Sequence, residues 1–233
     1  MAQALNRDRP RPTETDPWET AYAHFETPAQ EIRKFTRRLA KLGAAQWPRD
    51  ADIVELFCGR GNGLHALSNL GFTKVEGVDL SPSLAAQYKG PATLHVSDCR
   101  QLPFATRSKD IVIVQGGLHH LKRLPQDLEQ TLAEISRVLR EHGRLAVVEP
   151  WLTPFLAMVH GVCRIKIVRR VVPKIDAFAT MVELEGGIYT RWLAQPEAIR
   201  RLFNRFFHEE FHLIGWGKCF YVGRNQARAG GKE

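Results

Sequence analysis

The sequence predicts an α/β fold: a doubly wound, mostly parallel seven-stranded sheet that ends in an antiparallel hairpin. Three observations carry this. Five short runs, ADIVELF (51–57), KVEGVDL (74–80), ATLHV (92–96), DIVIVQ (110–115) and RLAVVE (144–149), alternate with segments of helical periodicity. These runs are nearly continuous in apolar residues, which is the pattern of parallel strands covered on both faces. Two further runs, HEEFHLIGW (208–216) and KCFYVGRN (218–225), are separated only by Gly217. That is too little chain for a crossover helix, so they should pair antiparallel.

Taken in order, the opening segment NRDRPRPTETDP is rich in Pro and in charges of both signs. With so little to bury, residues 1–16 are expected to form a flexible tail. Thr27-Pro28-Ala29-Gln30 then reads as a helix start, with Thr27 as N-cap, Pro28 in the first turn and Gln30 completing a capping box. A basic helix to about Gly43 should follow. In LPQDLEQTLAEISRVLREHG (124–143), Leu124, Leu128, Leu132, Ile135, Val138 and Leu139 recur at helical spacing, and Gly143 stands where a left-handed cap belongs. A last helix begins near Pro196, and residues 227–233 read as a second tail. One domain over 17–226 is expected, with 53–150 as the ligand-binding core and 151–192 as an insert.

Composition narrows the classes. A chain of 233 residues with 44% hydrophobic content can bury one sizeable core. It has no run of eighteen apolar residues and no secretory leader pattern, so a cytoplasmic location is expected. Cys58, Cys99, Cys163 and Cys219 are dispersed, which argues against a disulfide framework and a zinc knuckle, and no metal is expected. A net charge of +8 raises nucleic acid and anionic membrane as partners. No basic platform interleaved with aromatics is visible, so nucleic acid is disfavoured.

The segment ELFCGRGNG (55–63) runs from the first strand through a glycine cluster into a helix. In an open parallel sheet that loop is where a ligand approaches the backbone and the unpaired N–H groups of the helix start. A dinucleotide fingerprint requires a third glycine where Leu64 stands, which disfavours a nicotinamide cofactor. Asp79 ends the second strand, 18 residues after Gly61, where an acid can accept hydrogen bonds from ribose hydroxyls.

These residues, together with VSDCRQLPF (96–104), SKDIVIVQGGLHHL (108–121) and EISRVLREHGRLAVVEPW (134–151), resemble the class I S-adenosylmethionine-dependent methyltransferases. The likeness is strongest to the branch that includes the ubiquinone and menaquinone biosynthesis methyltransferases, and it covers about 53–150. The resemblance implies a Rossmann-like sheet and S-adenosyl-L-methionine as cofactor. It implies that Glu55, Gly59 and Gly61 wrap the methionine end and that Asp79 holds the ribose. Asp98 would meet the adenine amino group and Cys99 would flank the ring, with Phe57, Leu80 and Gln115 completing the cofactor set. Two departures stand out. Phe57 occupies a position where the family commonly has glycine and should narrow the space beside the cofactor, and Arg60 should add a charge near the cofactor carboxylate.

His119 and His120 follow the fourth strand, on the rim where an acceptor would meet the methyl group, and either could take a proton from a hydroxyl or a phenol. A histidine pair at such a junction can equally cap or pack. Gln115-Gly116-Gly117-Leu118 replaces the Asn/Asp-Pro-Pro-aromatic motif of base-amino methyltransferases, and no Pro-Cys dipeptide is present. A small-molecule or lipid-like acceptor is therefore expected. The alternative is a noncatalytic cofactor-binding partner or regulatory protein. The insert, with Arg164, Lys166, Arg169, Arg170 and Lys174 among apolar residues, should form a lid over the acceptor, with Tyr189, Arg191 and Trp192 along its return. Residues 155–174 could also rest peripherally on an anionic membrane, where each basic residue contributes about 1 kcal/mol.

Overall fold

The computed structural model describes residues 21, 25–185 and 187–226, so both expected tails lie outside the described residues. Helix α1 (Pro28–Lys41) starts as its sequence directs: Thr27 Oγ1 accepts from Gln30 N at 3.3 Å, and Gln30 Oε1 accepts from Thr27 N at 3.1 Å. It ends just before Gly43, whose φ of +86° turns the chain into a short 3-10 segment, Ala44–Gln46.

The strands are β1 (Asp52–Leu56), β2 (Lys74–Asp79), β3 (Thr93–Val96), β4 (Lys109–Gln115), β5 (Leu139–Pro150), β6 (Phe207–Gly215) and β7 (Lys218–Asn225). Their order across the sheet is β3-β2-β1-β4-β5-β7-β6, with β1 to β5 parallel and β7 antiparallel to both neighbours. The chain winds outward from β1 to β3 and then returns to β4 on the other side of β1. The switch point thus lies between the loops that follow β1 and β4.

Both faces of the sheet are covered, as the apolar runs require. On one face Val54, Leu56, Val112 and Val114 pack against Leu128, Leu132 and Ile135 of α4 (Gln126–Val138) and Phe203 of α9 (Pro196–Phe206). On the other face Ile53, Ile111, Ile113 and Val148 pack against Leu39 of α1 and Leu64 and Leu67 of α2 (Asn62–Asn69). Short α3 (Pro82–Ala85) follows β2.

Gly143 does not cap a helix. α4 stops at Val138, and Leu139, wholly buried and paired with Lys109, already belongs to β5. Burying Leu139 in the sheet overrides the helical spacing. Gly143 is needed because a Cβ there would lie 3.0 Å from the carbonyl oxygens of Arg140 and Asp110, while the left-handed residue is His142, with φ +65°.

The expected hairpin is present, turned by Trp216 and Gly217, both at positive φ, as a two-residue turn between twisted strands demands. The insert is not one amphipathic helix. It breaks into α5 (Pro154–Cys163), α6 (Lys166–Val171) and α7 (Pro173–Leu184), followed by α8 (Ile188–Leu193). Thr153 caps α5 and Pro173 sits at the start of α7, where its fixed φ and missing N–H are tolerated.

Candidate functional site

The loop after β1 folds through three left-handed residues, Phe57 (φ +55°), Gly59 (φ +53°) and Gly61 (φ +80°), before α2 begins at Asn62. Phe57 thus adopts the backbone conformation for which glycine is ordinarily chosen. Its ring occupies the space that a Cβ on Gly117 would need, 2.2 Å from Cγ, so it fills the gap between the β1 and β4 loops. Gly59 N donates to Asp79 Oδ2 at 2.7 Å, and Ser81 N donates to Oδ1 at 2.9 Å. The acid at the end of β2 therefore fixes the glycine loop beside it. Leu80, the next residue, is 70% exposed and presents an apolar surface there.

Glu55 lies beneath the first turn of α2, where a Cβ on Gly63 would fall 2.1 Å from Oε2. Its Oε1 accepts from Gln115 Nε2 at 3.0 Å, while Oε2 and Gln115 Oε1 are buried with no hydrogen-bond partner. Burial pushes the Glu55 carboxyl up to about 8. Two unsatisfied buried oxygens under a glycine loop fit a ligand that brings N–H donors, as the amino group at the methionine end of the cofactor would. The extra cation of the loop is accounted for within the protein: Arg60 Nη2 lies 3.4 Å from buried Glu31, which also accepts from Asn62 Nδ2 at 2.5 Å.

Asp98 is clamped by its neighbour. Arg100 donates through Nε at 3.0 Å and Nη2 at 2.6 Å, and its backbone N reaches Oδ1 at 2.8 Å. The guanidinium holds the Asp98 carboxyl below its ordinary range, and Arg100 also reaches Asp127 at 3.0 Å. The Cys99 sulfur lies 3.5 Å from Thr131 Oγ1, among the core residues.

On the rim, Glu149 at the end of β5 is the organising residue. Its Oε1 accepts from Gly117 N at 2.8 Å and Leu118 N at 2.7 Å, and its Oε2 lies 2.7 Å from His119 Nδ1. A carboxylate partner assigns the proton to Nδ1 and leaves Nε2 as the basic nitrogen. The His120 ring packs tilted against His119 with centroids 4.0 Å apart, and burial pushes it down to about 3, so it is neutral at ordinary pH. Tyr189 of α8 meets His119 edge-on at 5.9 Å, and its hydroxyl lies 3.4 Å from His160 Nε2 of α5. His119, His120 and Glu185 each bring one ligand atom within 4.8 Å of the others, a set that could hold a metal ion although none was expected.

The structure thus brings Glu55, Phe57, Gly59, Gly61, Asp79 and Gln115 to the switch point and His119 and His120 to its rim. The sequence reading missed Glu149, Glu185 and His160. Glu149 had a signal, since RLAVVE ends level with the loop after DIVIVQ, where Val148 pairs with Gln115. Glu185 and His160 are brought in by the insert's fold, and no spacing announces them.

On a sheet of this order a glycine loop follows β1, an acid ends β2 and an oriented histidine follows β4, all at the switch point. Residues 54–147 match the family model described as a methyltransferase domain. A demethylmenaquinone methyltransferase of Corynebacterium glutamicum is 32% identical over 129 residues, covering 53% of this chain and 49% of that one. Another from Chlorobaculum parvum is 29% identical over 107 residues, covering 45% and 43%. The match therefore spans about half or less of these curated relatives' length. A solved protein of Pyrococcus horikoshii shares the fold at 16% identity, with a TM-score of 0.66 over 90% of this chain and 98% of that one.

Proposed function

We propose that the protein transfers a methyl group from S-adenosylmethionine to a small-molecule or lipid-like acceptor, with His119 as the base. Bound at the switch point, the cofactor supplies an electrophilic methyl on a sulfonium, and the chain supplies alignment. Asp79 and the loop it fixes hold the ribose and methionine parts, and Asp98 meets the adenine. Glu149 keeps Nδ1 of His119 protonated, so Nε2 takes the proton of a hydroxyl or phenol as the new bond to carbon forms and the carbon–sulfur bond breaks. His120, neutral and tilted against it, packs the base in place. The observation that carries the reading is the Gly59–Asp79 bond beside the unsatisfied oxygens of Glu55 and Gln115.

Quinone precursors are the first acceptors to try, because the curated relatives are named for demethylmenaquinone. A lipid-like acceptor also suits the insert, where Met158, Ile167 and Val171 are exposed and Phe155 packs on Trp216, itself 78% exposed. Through these side chains and its basic residues the insert would meet an anionic membrane surface. No helix among the described residues is long and apolar enough to cross one.

Calorimetric titration with S-adenosylhomocysteine tests the reading. We expect saturable binding that Asp79→Ala weakens by about tenfold or more, since a charged hydrogen bond contributes about 1.5–3 kcal/mol. Absence of binding in the parent protein would overturn the reading, and binding without turnover on phenols, quinone precursors or polyprenyl lipids would favour the regulatory alternative.

A further inference from the structure

A cleft of about 460 Å³ opens between α1 and α7, beside β7. Arg33, Lys34, Arg37, Arg38 and Lys41 of α1 and Lys174 of α7 line it, against one acid, Glu26, and the ring of Phe220. A solvated helix face would spread such charge outward. Here two elements direct it into one space, and a third adds Lys218 at the start of β7 beside it.

The local acids are already engaged. Glu26 pairs with Lys34, and Glu31 is shared among Lys34, Arg60 and Asn62. No carboxylate among the described residues lies within ion-pair reach of Arg38, whose close partner is the ring of Phe35 at 5.5 Å. Burial lowers the pKa of Arg38. Burial and the nearby charges of Arg38 and Lys34 push Lys218 down to about 7. Arg38, Lys34 and Lys218 are partly buried among exposed Arg33, Arg37, Lys41 and Lys174, and cations crowded together with restricted access to water cost free energy until a counter-charge arrives. A lone carboxylate would offset little of this, and the methionine end of the cofactor carries its own ammonium. A group with several oxygens and more than one negative charge matches the lining, because guanidinium and ammonium donors bind phosphate oxygens with short, charge-assisted hydrogen bonds.

We propose that this cleft is a binding site for a phosphate or diphosphate group, carried by a soluble small molecule or by a lipid headgroup. Glu149, which holds His119, is among the charges that act on both Arg38 and Lys218. On the methyltransferase reading the occupant would be the acceptor's own phosphate. The binding site itself stands without that reading.

The test is calorimetric titration of the full chain with inorganic diphosphate at about physiological ionic strength, with no S-adenosylhomocysteine present. Saturable binding is expected, with Arg38→Gln weakening it by about tenfold, the usual effect of losing a charge-assisted contact. Unchanged melting would show that the variant folds. The exposed pair Arg37→Gln and Lys41→Gln provides a second variant in case it does not. No saturable binding by the parent chain, or binding by both variants as tight as the parent's, would overturn the proposal. Phosphatidylglycerol vesicles separate the sources. Co-sedimentation that diphosphate displaces puts a lipid phosphate in the cleft, and diphosphate binding without co-sedimentation assigns a soluble one. Co-sedimentation that neither diphosphate nor Arg38→Gln alters would count against the cleft. Because S-adenosylhomocysteine binding is measured separately, loss of either activity leaves the other interpretable.

Discussion

Glu55 and His119 show how burial assigns work to single side chains. Folded Glu55 keeps its proton up to about pH 8, while the unfolded chain loses it near the ordinary value of 4.5. Between those values folding takes up a proton, so the Glu55 contribution to stability declines as pH rises through that window and is level above it. Glu55→Gln keeps the shape and removes the titration. Denaturant unfolding from pH 4 to 9 should therefore show a flatter profile for the variant, and identical slopes would refute the assignment. At the rim, His119→Ala should lower turnover on a hydroxyl acceptor by about 10²- to 10⁴-fold, the usual worth of a positioned base. Glu149→Gln should lower it as well, because a neutral amide no longer favours the proton on Nδ1. His120→Ala should leave the pH profile of turnover unmoved, since its depressed value keeps it neutral throughout the working range. The sequence offered both histidines equally. The carboxylate at the end of β5, which reaches His119, separates them, and it arises from strands brought together by folding.

Among the elements, α8 decides how the insert returns to the sheet. Trp192 is 1% exposed and its Nε1 donates to Pro150 O at 2.9 Å, while Arg191 donates to Lys122 O at 2.8 Å. Trp192→Ala should cost about 3–5 kcal/mol, as truncation of a buried aromatic does. Trp192→Phe keeps most of the apolar area and should cost nearer 1 kcal/mol for the lost hydrogen bond. Equal losses from the two substitutions in equilibrium unfolding would show that packing contributes little here. The elements legible in advance were those with local chemistry: the Thr27–Gln30 box, the five apolar strands and the Gly217 turn. The end of α4 was not legible, because periodicity continues into Leu139 while pairing with Lys109 takes that residue into the sheet. The breaks in the insert were hidden for a related reason. Apolar and basic residues alternate there without a clear face, and of the two breaks only the one before α7 carries a local mark, Pro173.

Across the whole molecule, stability is concentrated in the sheet and the helices that cover it, and residues 154–171 of the insert add little to that core. α6 buries none of its residues and α5 buries only Leu156, whereas α4 buries six, including Leu128, Leu132 and Ile135. Regions with few buried contacts open at low free energy. Amide exchange should therefore be fast over residues 154–171 and slow over β4 and α4, with protection of the insert rising when an acceptor is bound. Uniform exchange across both regions would contradict this division. The sheet order was readable because the winding of a parallel sheet follows from strands alternating with helices. The docking of the insert's ends on the end of β5 and the turn before β7 had no such rule behind it.

The strand order also constrains how the chain can be made. β7 lies inside the sheet, between β5 and β6, yet it is synthesised after both. While it is still within the ribosome, β6 has no neighbour to pair with, and the edge of β5 stays open. The nascent chain therefore passes through a stage at which two strand edges and residues such as Phe207 are uncovered, until β7 emerges and closes the sheet like the final tooth of a zip.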